Sequence, residues 1–282
     1  MRRREFLGAV AALPALGAAQ TPFTPRTGRL KQTLFHSAFD PRMTFEAMCR
    51  EAVRLGAYGF DAVESIEWPT MRRFGLVPTL AYPEVTPPPF PDGVARPENS
   101  DRMEMLMHAQ IDQCARDGCG LIPVAGGQRR GMSYEQGADN CVAFFNRIKA
   151  HAEDKGITVC IEVMNRFDRP DQFCNHVVWG VNVCQRVNSP RIRLLFDIYH
   201  VQIQDGNVCA NIRDNFQWIA HFHTAGVPGR HEIDETQELN YRFIAQTIAD
   251  LGHMGYVAHE YTPAPGRDPL ASLRRTLEIM KV

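Results

Sequence analysis

Lysine is nearly missing from this chain: four of its 31 basic residues are Lys (Lys31, Lys149, Lys155 and Lys281), against 27 Arg. Lys149 and Lys155 share one helical stretch and Lys281 lies at the tail, so a Schiff-base lysine has almost nowhere to sit. Net charge is almost absent too, since 31 basic and 32 acidic residues leave −1. Such a chain carries no electrostatic footprint for nucleic acid or anionic lipid, and the expected partner is a small-molecule substrate. There is no GxSxG elbow, no HExxH, no GxxxxGK(S/T) and no CxxC, which removes the common serine-hydrolase, zinc-protease, phosphate-loop and dithiol chemistries. No apolar run approaches the roughly 20 residues that span a bilayer. With 44% apolar and 22% charged residues the chain is neither disordered nor fibrous.

Its first residues read as an address. Arg2, Arg3 and Arg4 precede Glu5-Phe6-Leu7, and an Ala-rich apolar run from Gly8 to Ala19 ends in small residues. Arg3-Arg4-Glu5-Phe6-Leu7 resembles the bacterial twin-arginine export signal, which implies a periplasmic protein. The expected division is a signal peptide over 1–19, a leader over 20–29 and one globular unit over 30–282. Cleavage would remove three Arg and one Glu, leaving a mature chain of net charge −3 with no membrane segment. Eight Cys in an exported protein invite disulfides, yet a chain this long needs no staples. Most are expected to be buried thiols, with one or two bridges left open, as is a homo-oligomer.

Eight short apolar runs alternate with longer amphipathic stretches. The runs lie near Leu30 to His36, Phe60 to Glu64, Val77 to Ala81, Leu121 to Ala125, Thr158 to Val163, Ile192 to Asp197, Ile219 to Thr224 and Tyr256 to Glu260. Helical patterns between them include Met43 to Leu55, Ser100 to Arg116, Ser133 to Asp154, Gln172 to Val187, Tyr241 to Leu251 and Pro269 to Lys281. Gly56, Gly75, Gly118, Gly156 and Gly252 each stand between a helical pattern and the next strand, where a left-handed residue ends a helix. The expected fold is a (β/α)8 TIM barrel. An open doubly wound sheet is the runner-up, weakened because no glycine-rich phosphate fingerprint follows the first strand. Tyr82 to Glu98, with six Pro, is expected to be a stiff loop over the active face.

Barrel chemistry gathers where strands end. The last four runs end in Glu162, Asp197, His223 and Glu260, on strands that would be neighbours. Three carboxylates and an imidazole converging in a low-dielectric mouth would repel one another by several kcal/mol without a cation. Three oxygen donors and one nitrogen suit Mn2+ first, with Mg2+, Co2+ and Zn2+ also compatible. Taken singly, Asp197 would be a helix N-cap and His223 a core histidine. Cys160, the one thiol near these ends, is expected to point away from Glu162. His200 is placed in the loop beyond the sixth strand, either touching substrate or orienting a ligand. Arg230 either binds substrate oxygens or is a surface residue beside the Gly229 turn. Asn165 is read as orienting nearby backbone, and His231-Glu232 as shaping a loop. His36 and Glu64 lie near the mouth without an essential role.

The motifs Ile161-Glu162-Val163-Met164-Asn165, Phe196-Asp197-Ile198-Tyr199-His200, His221-Phe222-His223, Gly226-Val227-Pro228-Gly229-Arg230-His231-Glu232 and His259-Glu260-Tyr261 resemble the hydroxypyruvate isomerase family. That family belongs to the xylose isomerase-like sugar isomerase and epimerase barrels. The likeness runs from about Leu30 to the C-terminus and is specific in the second half. It implies that Glu162 and Glu260 are the catalytic acid/base pair and also metal ligands, that Asp197 and His223 complete the metal site, and that His200 and Arg230 hold substrate oxygens. Two positions depart: His223 stands where hydroxypyruvate isomerases usually carry Gln and the wider group's ketose epimerases carry His, and Val163 stands where Pro is usual. The resemblance implies isomerisation or epimerisation of a small hydroxy-keto acid or ketose. The export signal admits a lyase or hydrolase on 3-keto-sugars with the same residues, or a noncatalytic sugar-binding protein.

Overall fold

The alternating pattern folds into eight parallel strands ringed by helices, in a computed structural model that describes residues 24–82 and 92–282. In chain order the elements are β1 (Lys31–Leu34), α1 (Phe45–Leu55), β2 (Gly59–Val63), α2 (Trp68–Arg73), β3 (Val77–Ala81), α3 (Ser100–Asp117), β4 (Leu121–Val124), α4 (Tyr134–Lys155), β5 (Thr158–Glu162), α5 (Val177–Val187), β6 (Ile192–Asp197), α6 (Ile198–Gln204), α7 (Val208–Asn215), β7 (Ile219–Thr224), α8 (Tyr241–Asp250), β8 (Tyr256–His259) and α9 (Pro269–Ile279). The hydrogen-bonded order is β3-β2-β1-β8-β7-β6-β5-β4, so β1 pairs with β8 and the sheet curls into a nearly closed barrel. Between β3 and β4 no ladder forms among the described residues. There Val94 and Ala95 donate backbone hydrogen bonds to Ala125 and Gly126, both at 3.0 Å, just past the end of β4. The signal segment 1–19 and residues 83–91 of the proline-dense loop lie outside the described residues.

Local chemistry fixes where the helices begin and end. The side chains of Thr44, Ser133, Asn240 and Asp268 accept from backbone N–H groups of the first turns of α1, α4, α8 and α9, satisfying donors that no helical carbonyl can reach. Gly56, Gly118 and Gly156 close α1, α3 and α4 with φ between 70° and 79°, a left-handed conformation that glycine adopts without a Cβ clash. The sequence pattern starts α5 too early. Gln172 is drawn into an antiparallel bridge with Gln128, and Phe173 donates to the Gly127 carbonyl at 3.0 Å. That backbone is committed to the loop after β4, so the helix begins only at Val177.

Most of the core lies between the barrel wall and its helices, with Phe60, Phe144, Phe145, Phe196 and Phe222 fully buried. A separate apolar cluster of Leu80, Cys160 and Leu195 fills part of the barrel. This corrects the expectation for Cys160: residues two apart in a strand share a face, so it lies on the inner face with Glu162, one layer below. All eight cysteines are free, seven of them buried.

Candidate active site

Strand pairing sets the site. Glu162 ends β5 opposite Leu195, Asp197 ends β6 opposite His223, and His223 lies opposite Ala258 in β8, two residues before Glu260. One ligand atom from each of Glu162, Asp197, His223 and Glu260 lies within 4.8 Å of the others. The four strand-end residues read from the sequence therefore come together. His223 and Glu260 show most directly that a cation fits. The imidazole Nδ1 and the carboxylate Oε2 face each other at 2.7 Å, yet both are buried without an aligned hydrogen bond. Buried polar atoms rarely lack an aligned partner. Glu260 Oε2 also meets the Arg230 guanidinium, but His223 Nδ1 has no aligned hydrogen bond, and an ion held jointly with Glu162 and Asp197 would satisfy it.

Asp197 does two jobs. Its Oδ1 caps α6 by accepting from the Tyr199 N–H at 2.9 Å, while its Oδ2 faces the site. The N-cap and ligand readings of this residue are thus compatible. His200 is not in a loop, as the sequence suggested, but buried within α6, because the Asp197 cap starts a helix at once.

Arg230 is also not a surface residue. It follows Gly229 with φ of 57°, and its chain turns back into the mouth. Its Nη2 reaches Asp197 Oδ2 at 2.8 Å and Glu260 Oε2 at 2.7 Å, and its guanidinium lies 5.0 Å from the Tyr199 ring centre.

The proton on His200 can be located from its neighbours. Its Nδ1 faces two donors of Asn165, the backbone N–H at 3.2 Å and the side-chain amide at 2.7 Å. The Asn165 amide cannot be turned around without loss, because its Oδ1 accepts from the Phe167 and Asp168 N–H groups, both at 2.9 Å. Nδ1 is therefore the acceptor and a neutral His200 carries its hydrogen on Nε2. That Nε2 points to Arg230 Nη1 at 3.1 Å. Two donors converging this closely form a seat for an oxygen lone pair.

Electrostatics divide the two glutamates. Burial, then the charge of Glu260, pushes the Glu162 carboxyl up to about 7. Burial works the same way on Glu260, but the charges of Arg230 and His223 overcome it and hold that carboxyl at about 2. Burial lowers the His200 imidazole, keeping it neutral. For His223 burial opposes protonation, but Glu260 and Asp61 outweigh it and raise the imidazole well above its usual range.

Of the peripheral residues, Glu232 accepts from the Ala264 N–H at 3.1 Å and the Ser272 hydroxyl at 3.0 Å, tying the loop after β7 to α9. His231 Nδ1 contacts the Thr262 carbonyl at 2.8 Å. His36 packs against Phe45 and Phe60, Glu64 is exposed, and neither joins the four-residue cluster.

Two residues were missed in the sequence. Asp61 and His221 lie fully buried beneath His223, the three forming a second group of candidate ligands. Burial acts to raise the Asp61 carboxyl, but the charges and hydrogen bonds of His221 and His223 leave it lowered. The signal for His221 was available, since it stands two residues before His223 and so shares its face. Nothing in the spacing marked Asp61.

The xylose isomerase-like TIM barrel family matches residues 54–281. A 2-oxo-tetronate isomerase from Cupriavidus necator is 37% identical over 115 residues, covering 41% of this chain and 44% of that protein. A putative hydroxypyruvate isomerase from Danio rerio is 33% identical over 145 residues, 51% of this chain and 52% of the other. These alignments thus span about half the length of the curated relatives. Among solved structures, an AP endonuclease of family 2 from Brucella melitensis superposes with a TM-score of 0.78 at 22% identity, over 86% of this chain and 96% of that one.

Proposed function

Because the chain belongs to the xylose isomerase-like TIM barrel family, we propose that it is a divalent-metal-dependent isomerase or epimerase of a small hydroxy-keto acid or ketose. The observation that carries this reading is the convergence of Glu162, Asp197, His223 and Glu260 at four adjacent strand ends. Their donor set favours Mn2+, with Mg2+, Co2+ and Zn2+ as competitors. The curated relatives support an α-hydroxycarbonyl substrate through their names, 2-oxo-tetronate isomerase and putative hydroxypyruvate isomerase.

The bound cation would supply Lewis-acid stabilisation of the negative charge that develops on the substrate's two adjacent oxygens when a carbon-bound proton leaves. The protein's own groups do the rest. Glu162 and Glu260 stand at the two ends of the β5–β8 arc, with Asp197 and His223 between them. They can therefore address opposite sides of a substrate, one taking the proton as general base and the other returning one as general acid. Return to the neighbouring carbon isomerises, whereas return to the opposite face of the same carbon epimerises. His200 Nε2–H and the forked donors of Arg230 offer hydrogen bonds to a carbonyl, carboxylate or enediolate oxygen. A hydroxyl could use that seat only as an acceptor.

The test is turnover in D2O with added Mn2+ over hydroxypyruvate, 2-oxo-tetronate, free ketoses and 3-keto-glycosides. The expected result is solvent deuterium on the carbon next to the carbonyl of substrate or product, seen by NMR. Release of the glycosidic group from 3-keto-glycosides would instead assign a lyase. Saturable binding without exchange on any compound would leave a sugar-binding protein and overturn the isomerase.

A further inference from the structure

Asp61 is a fully buried carboxylate that the chemistry above leaves unused, and the backbone is bent to aim it. The β2–β3 register shifts on both sides of Asp61, and the next residue, Ala62, has φ of 51°. A left-handed alanine inside a strand is unfavourable and persists where the surroundings over-determine it. Such irregularities re-aim a side chain, here across the barrel from β2 to β7. Asp61 Oδ1 accepts from the Thr33 hydroxyl at 3.0 Å and also contacts the Thr79 hydroxyl. Its Oδ2 faces His221 Nε2 at 2.5 Å and His223 Nε2 at 3.2 Å.

These three residues could be mistaken for a second cation site. Both histidine Nε2 atoms already lie at hydrogen-bond distance from Oδ2, and the threonine hydroxyls occupy the other oxygen. The arrangement is one of hydrogen bonds. It clamps one nitrogen of His223 and thereby directs the other, Nδ1, at Glu260.

We propose that Asp61 is a positioning residue for the metal site: it holds the Nε2–H of His223, with His221 as its second donor, so that Nδ1 is the ligating atom. The inference rests on His223 being a metal ligand, as in the function proposed above. Carboxylates behind ligating histidines fix ring orientation and raise ligand basicity, and losing them costs about ten- to a hundredfold in metal affinity.

Two readouts on the full chain test it. In the long-range 1H–15N spectrum of the metal-free wild type, His223 should show a protonated, slowly exchanging Nε2, assigned by its disappearance in His223→Gln. In Asp61→Asn that proton should exchange freely, and Mn2+ affinity measured by EPR should fall about ten- to a hundredfold. A bare or freely exchanging Nε2 in the wild type overturns the proposal, even if Asp61→Asn does not fold. Unchanged Mn2+ affinity in a folded Asp61→Asn overturns it too, leaving Asp61 a purely structural residue. If the wild type binds no Mn2+, the metal reading falls and the positioning proposal falls with it. The His223 spectrum would still report whether the clamp exists.

Discussion

Asp197 uses one oxygen to start a helix and the other to face the site, and the two roles can be separated. Asp197→Ala should lose stoichiometric Mn2+ in metal analysis and also about 1 kcal/mol of stability through the missing cap. Asp197→Asn keeps a capping oxygen and should lose the metal with stability near wild type. Retained metal in both would remove Asp197 from the ligand set. Proton linkage offers a second test. With Glu162 at about 7 and His223 raised, both hold protons near neutrality that a cation must displace. Mn2+ affinity should therefore increase as pH rises through about 7 and weaken below it. Calorimetry in buffers of different ionisation enthalpy should show proton release on binding, and a pH-independent affinity would contradict it. Residues such as Glu162 and Glu260 were legible because they end apolar runs. Asp61 was not, because a left-handed Ala62 leaves no mark on the alternation of polar and apolar residues.

All eight strands were legible in the alternation of short runs and punctuating glycines. Short helices were less so, and α2, α6 and α7 went unseen. In α6 the capping residue is itself the last residue of the strand, so no separate start signal exists. Packing of the outer layer on the barrel adds a titratable element. His259 joins β8 to Thr224 of β7 at 2.8 Å and to Gln32 of β1 at 2.9 Å, and the Gln32 amide bonds the Leu277 carbonyl of α9. His253 packs against Phe216 and Phe222. Burial lowers these imidazoles from 6.5, to about 4 for His253 and about 3 for His259. The unfolded chain takes up these protons first, so stability is full above 6.5 and declines as pH falls towards the folded values. Each histidine should contribute a slope of up to about 1.4 kcal/mol per pH unit in that window. Urea midpoints between pH 7 and 4 should reveal it, and His253→Leu should remove its share. An unchanged slope would exclude His253.

Across the whole molecule, eight unpaired thiols meet an export reading of residues 1–19. Burial raises several of them, with Cys49 and Cys184 pushed up to about 12, and a thiol so disposed reacts poorly. Native protein should therefore label with a thiol reagent at Cys209, which is half-buried, while the other seven should wait for unfolding. Rapid native labelling of Cys141, in α4, would show that the outer layer opens readily, and labelling of Cys160 that the barrel itself does. A route that carries folded chains suits this arrangement, since the thiols would be shielded before meeting an oxidising compartment. A reporter fused to residues 1–30 should lose secretion when Arg3 and Arg4 become Lys, and continued secretion would point to another route.

Among the described residues, the gap between β3 and β4 is where the hoop is fastened by a clasp rather than woven. The two amides of Val94 and Ala95 are that clasp. The four donor side chains stand away from it, at the ends of strands β5 to β8, which are each paired to the next.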